Sequence, residues 1–141
     1  MIKKVFLVLF LFLSGCTTND TVTLEEEVTL SYFYITTCGD CSAFKEDAIP
    51  YLEDKFGEGI TINQYDLDDV SIVDKYDSII DSLDDFDEEF YGNGPFIVVE
   101  GYFALLGYSS GDEEYLAEDI ISATQGGELS EELSYLRFMY K

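Results

Sequence analysis

Cys38 and Cys41 are the two residues in this chain whose type and spacing most clearly permit chemistry. They lie in Thr36-Thr37-Cys38-Gly39-Asp40-Cys41, after the apolar run Leu30-Ser31-Tyr32-Phe33-Tyr34-Ile35 and before a helical pattern that starts near Ser42. A helix N-terminus carries partial positive charge and unpaired amide N–H groups. A sulfur placed there ionises more readily, and the thiolate is the reactive form. A second thiol one turn along can close a small disulfide with the first. Such a pair trades electrons with other dithiols through a mixed disulfide.

A bare CxxC is also half of many zinc sites. The chain has only 3 cysteines and no histidine, so neither a second CxxC nor a His pair is there to complete a structural zinc site. That count favours redox exchange. A metal held with carboxylates or a second chain, and an inert structural disulfide, remain as alternatives. No metal, and no cofactor beyond the Cys38/Cys41 pair itself, is expected.

The third cysteine, Cys16, closes a leader. Lys3 and Lys4 precede the apolar run Val5 to Leu13, and Ser14-Gly15 follow it. This is the pattern of a secretory signal peptide. The run is too short for a membrane-spanning helix, which needs about 17–25 residues. Leu13-Ser14-Gly15-Cys16 resembles the lipobox of bacterial lipoproteins. That resemblance implies cleavage before Cys16 and diacylglycerol on its sulfur. Two or three acyl chains, palmitate among them, anchor a protein firmly where one binds only marginally. Three parts follow: a lipoprotein signal peptide over 1–15, lipidated Cys16 with a polar tether over 16–27, and one domain over 28–141. The expected location is the extracytoplasmic face of a bacterial cell membrane. Export implies an oxidising compartment, where disulfides persist.

Charge narrows the partners. The formal charge is −23, and removing residues 1–15 takes away two lysines and no acid, leaving −25. Nucleic acid is excluded as a natural partner, because phosphate binding needs a basic face. An anionic membrane surface repels such a domain, so the lipid on Cys16 must do the anchoring. Asp81 to Glu89 packs six acids into nine residues but lacks the EF-hand spacing and its central glycine. It reads either as a solvated surface or as a rim that steers a basic partner or substrate.

Val28 to Ile35 is β-branched and aromatic, without Pro or Gly, and reads as a central strand covered on both faces. Cys41, Phe44, Ala48, Leu52 and Phe56 fall at helical spacing, with Pro50 kinking or splitting the helix and Gly57 and Gly59 ending it. Ile60 to Leu67 is the next strand. Val70, Val73, Tyr76, Ile80 and Leu83 form a second helical stripe, read as core. Phe96–Glu100 and Tyr102–Leu106 form a hairpin turned at Gly101. Ser109 to Asp112 cap a helix reaching about Ala123, with Tyr115, Leu116, Ile120 and Ile121 inward. Leu129, Leu133, Leu136 and Tyr140 predict one last short helix.

This order, with Cys38-Gly39-Asp40-Cys41 at the first strand-to-helix turn and Gly94-Pro95-Phe96 opening the third strand, resembles the thioredoxin superfamily over about residues 28–123. The resemblance implies an α/β fold: a mixed central sheet of about four strands, helices on both faces, and here an added C-terminal helix. It implies that Cys38 is the exposed nucleophile and Cys41 the buried resolving thiol. Pro95 takes the place of a proline with a cis peptide bond that faces the disulfide, and Gly94 that of the residue whose backbone holds substrate as an added strand. Gly39 and Asp40 occupy the modulating positions between the cysteines. Thioredoxins proper carry a buried Asp six positions before the first cysteine, where this chain has Tyr32. The short segment before Val28 matches the minimal, glutaredoxin-like version of the fold.

The expected activity is that of a membrane-anchored thiol–disulfide oxidoreductase acting on exported proteins, re-equilibrated by a membrane redox partner. Asp40 and the acidic domain both disfavour another negative charge, which leans the pair toward reductase or isomerase rather than strong oxidant. The alternative is a surface binding lipoprotein of the same fold with a structural disulfide.

Overall fold

The structure is a computed structural model that describes residues 20–134 and 137–141. The leader and Cys16 lie outside the described residues. Five strands form one mixed sheet in the order β2-β1-β3-β4-β5. β1 (Val28–Tyr34) pairs in parallel with β2 (Ile60–Asp66) and antiparallel with β3 (Phe96–Val99). β4 (Phe103–Leu106) continues antiparallel from β3 across the turn at Gly101, whose φ of +85° suits glycine.

Side chains along β1 alternate between faces, as a strand's two-residue period requires. Leu30 and Tyr32 enter one core with Ile97, Val99, Phe103 and Leu105. Phe33 enters the other with Phe96, Val98, Ala104 and Leu106. The first core is covered by α1 (Gly39–Ala43), α2 (Ile49–Phe56) and α4 (Asp112–Thr124), and the second by α3 (Val73–Ser82). The central, two-sided strand expected at Val28 to Ile35 is therefore present.

Between α1 and α2, Phe44–Ala48 forms a π-helical turn, closed by the Ile49 N–H on the Phe44 carbonyl. This is how the chain accommodates Pro50. The helix widens by one residue just ahead of a position that has no N–H and whose ring clashes with the preceding turn. The stripe survives intact: Cys41, Phe44, Ala48, Leu52 and Phe56 are all buried.

Four details differ from the sequence reading. Val70 is 86% exposed and Val73 sits at the surface, because a 3-10 turn at Val70–Ile72 precedes α3 and the inward positions are Tyr76 and Ile79. Tyr115 is exposed, while Leu116 and Ile120 point inward from α4. Val22 and Leu24, expected in a polar tether, pack against the first core, and the Val22 N–H donates to the Lys55 carbonyl. Among the described residues the last helix is α4. The stripe after it, read as a further helix, instead leads into β5 (Arg137–Met139), a fifth strand. The four residues of β4 are all buried, and an unpaired edge there leaves backbone groups unsatisfied; β5 supplies the partners, with Phe138 opposite Ala104.

Candidate functional site

At the carboxyl end of the parallel β1–β2 pair the chain turns from β1 into α1. The Cys38 N–H donates to the Ile35 carbonyl at 3.0 Å, which tightens the turn. Cys38 is the N-cap of α1 with extended backbone, φ −89° and ψ 119°, and its Sγ accepts from the Cys41 N–H at 3.1 Å. One of the free donors at the helix start is thus spent on the sulfur. Cys38 and Cys41 form a disulfide with Cα atoms 5.2 Å apart. Cys38 is half-buried, whereas Cys41 is 2% exposed. The two residues therefore differ in access, Cys38 being the less buried.

Gly94-Pro95 closes the site from the side. Its peptide bond is cis, and Pro95 is buried. Because β3 runs antiparallel to β1, with Phe96 opposite Phe33, the residues just before β3 lie beside the end of β1. The Gly94 carbonyl oxygen is 3.8 Å from Cys38 Sγ. A Cβ on Gly94 would sit 3.3 Å from Cys41 Sγ and 3.5 Å from the Phe33 carbonyl, so glycine is what lets this backbone pass so close to the disulfide. The Pro95 carbonyl is taken by the Gly107 N–H at 2.9 Å. No backbone group among the described residues pairs with the N–H or carbonyl of Gly94. Gly39 is different: a Cβ there would meet nothing within 4 Å. Asp40 is exposed in the first turn of α1.

Behind the disulfide, Tyr32 is fully buried and its hydroxyl donates to the Cys41 carbonyl. Burial, reinforced by the neighbouring Tyr34, pushes its pKa up to about 12, so the phenol stays protonated across the physiological range. Its ring packs on Phe44 at 4.7 Å, and Phe44 meets Tyr108 edge-on at 5.2 Å. Tyr108 donates to Glu113 Oε2 at 2.6 Å; that bond holds the Glu113 pKa below its usual range, and burial raises that of Tyr108.

A cavity of about 410 Å³ opens next to Asp40. Ile97, Leu105, Leu116 and Leu133 line it, together with Tyr108, Asp112 and Glu132. The sequence reading missed this feature. Leu133 carried only the signal of a helical stripe and Asp112 that of a cap; nothing local ties Glu132 to Asp40.

The acidic run Asp81 to Glu89 does not start beside the disulfide. Leu83 bridges to Tyr140, and the Asp84 N–H donates to the Met139 carbonyl at 2.7 Å. Met139 lies opposite Phe103, Phe103 opposite Val99, and Val99 opposite Leu30, which places Asp84 toward the end of the sheet away from Cys38. Asp87 caps the 3-10 turn Glu88–Phe90 through the Glu89 N–H, and the chain then returns toward Gly94.

Among the described residues, no group of three or more His, Cys, Asp or Glu side chains is arranged to hold a metal ion. No helix of the described residues is long and apolar enough to cross a membrane. In comparisons with protein-family models, curated proteins and solved structures, nothing matches the chain.

Proposed function

We propose that this chain is a thiol–disulfide oxidoreductase of thioredoxin-like type, acting on exported proteins from the outer face of the cell membrane. The observation that carries the reading is the closed Cys38–Cys41 pair at a strand-to-helix turn, with Gly94 and cis-Pro95 laid against it. In the reducing direction, the Cys38 thiolate attacks one sulfur of a substrate disulfide. A Cys38–substrate disulfide forms, and the other substrate sulfur leaves as a thiolate that takes up a proton. Cys41, once deprotonated, attacks Cys38 Sγ, closes the 38–41 bond and releases the second substrate thiolate. Two electrons pass from protein to substrate, and a membrane dithiol partner restores the reduced pair. The N–H and carbonyl of Gly94, which pair with no backbone group among the described residues, are suited to hold the substrate backbone as an added strand. Asp40 lies in the same turn as the cysteines and disfavours the thiolate, which supports a reductase or isomerase over a strong oxidant. Lipid on Cys16 holds the domain at the membrane.

The near-complete burial of Cys41 also favours a second reading, a binding lipoprotein with a permanent disulfide. Reduction potential separates the two. A value below about −300 mV marks a structural bond and ends the enzyme reading. In the enzyme, Cys41→Ser traps a Cys38–substrate disulfide and Cys38→Ser traps none; equal trapping by both variants contradicts the assigned roles. Cys16→Ser releases the protein from the membrane fraction, and retention after leader cleavage contradicts the lipid anchor.

A further inference from the structure

We infer that the cavity beside the disulfide selects the polypeptide partner, taking an apolar side chain on its floor and a neighbouring lysine or arginine at its rim. This rests on the reading of the disulfide as a site that meets polypeptides, and it names which ones.

The floor is apolar. Ile97 and Leu116 are almost fully buried in the first core and show the cavity only an edge, and Leu105 and Leu133 complete the surface. The rim is acidic, with Asp40 from α1, Asp112 from the start of α4 and Glu132 from the segment before β5. These three come from well-separated parts of the chain, and no lysine or arginine among the described residues lines the cavity. Three of the five basic side chains among the described residues are engaged. Lys75 pairs with Glu100 at 2.7 Å, Arg137 lies 3.6 Å from Asp119, and Lys141 donates to the Asp81 carbonyl. Asp112 accepts from the Ser109 N–H, a neutral donor, and forms no ion pair among the described residues. Glu113, next in the chain, accepts from Tyr108 and from the Gly111 N–H and likewise forms no ion pair among the described residues.

The wall that carries Glu132 and Leu133 is fastened. Buried Asp119 accepts from the N–H and hydroxyl of Ser130, and Arg137 bonds the Ser130 carbonyl at 2.7 Å. A volume of about 410 Å³ is within the range of ligand pockets and is more than one aliphatic side chain fills. An apolar side chain buries its surface on the floor, while the stem of an adjacent lysine or arginine runs along the wall and its head group meets the carboxylates. An acidic segment in the same place meets repulsion at every rim position. The occupant that fits is therefore a basic, partly apolar stretch of polypeptide beside the substrate cysteine.

The test uses the full chain in detergent and two labelled peptides of one sequence, Leu flanked by lysines in the first and by glutamates in the second. Binding to the oxidised protein is read by fluorescence anisotropy, so it needs no electron transfer. The basic peptide binds more tightly. Asp112→Asn with Glu132→Gln lowers its affinity by about tenfold, as expected for two solvent-edge charge pairs. Asp84→Asn with Asp85→Asn removes equal charge at the far end and changes affinity by less than about twofold. Equal binding of the two peptides, or equal loss in both double variants, overturns the inference. Glu132→Lys, on an exposed side chain, gives a second readout by reversing the preference; an unchanged preference also overturns it. Exchange of the reduced protein with neutral bis(2-hydroxyethyl) disulfide tests the redox reading separately. No exchange there, with basic-peptide binding kept, defeats the enzyme and leaves the subsite standing.

Discussion

The hydroxyl of Tyr32 donates a hydrogen bond to the carbonyl oxygen of Cys41, joining the middle of β1 to the first turn of the helix that carries the disulfide. The same carbonyl also accepts from the Phe44 N–H, so it keeps one partner when the tyrosine bond is removed. Tyr32→Phe keeps the ring packing and loses that single bond. It should lower stability by about 0.5–1.5 kcal/mol, measured by urea unfolding. Tyr32 also links stability to alkaline pH. Its folded pKa of about 12 lies above its ordinary value of 10.0, so the folded state holds the proton longer than the unfolded one. The contribution is complete below about pH 10 and is lost as pH rises through about 12. The variant should therefore show a shallower fall in stability across that window. An identical pH profile would show that Tyr32 does not titrate as its burial requires.

Gly94 and Gly39 both lie beside the disulfide, yet only Gly94 is crowded. Gly94→Ala brings a Cβ to 3.3 Å from Cys41 Sγ and 3.5 Å from a strand carbonyl, neither of which is the loose end of a flexible side chain. The substitution should cost about 1–3 kcal/mol in the oxidised protein, from overpacking. Gly39→Ala enters open space at the first position of α1 and should be neutral or stabilising by up to about 1 kcal/mol. Thermal unfolding of the two oxidised variants tests the contrast, which fails if both change alike.

Asp119→Ala removes a buried carboxylate that holds Ser130 and faces Arg137. The Arg137 side chain keeps only 16% exposure, so it is left with little water to replace its partner. The loss should be about 3 kcal/mol, at the low end for one partner of a buried pair. Amide exchange in β5 should accelerate beyond the change in global stability, because the segment leading to that strand is then unfastened. Uniform acceleration across the sheet would argue against a local fastening.

Asp40→Asn removes a negative charge from the turn that holds both sulfurs. The thiolate becomes easier to form, so the couple becomes more oxidising. The shift should be on the order of 10–20 mV, given about 30 mV per 1.4 kcal/mol and the modest strength of an exposed charge. Equilibration with a glutathione buffer measures it; a more reducing variant would reverse the assigned influence of Asp40.

Features that neighbouring residues specify among themselves were readable in the sequence. Cys38 and Cys41 stand three apart where an apolar strand gives way to a helical stripe, and that is enough to place two sulfurs at a helix start. Gly101 between two apolar runs marks the hairpin, and Pro50 marks a break, though not that a π-helical turn would absorb it. The faces of α3 and the last strand were decided by packing. Val70 and Val73 have no sheet surface to cover, and a four-residue stripe ending at Tyr140 suits a short helix as well as a strand until the open edge of β4 recruits β5. The acidic residues show the same division. Asp81 to Glu89 are conspicuous as a run, yet Asp84 is tied to Met139 at the far end of the sheet. Asp40, Asp112 and Glu132 are unremarkable where they stand in the chain. They meet at one rim only because α1, α4 and the segment held by Asp119 converge on the same end of the sheet, and no local spacing encodes that convergence.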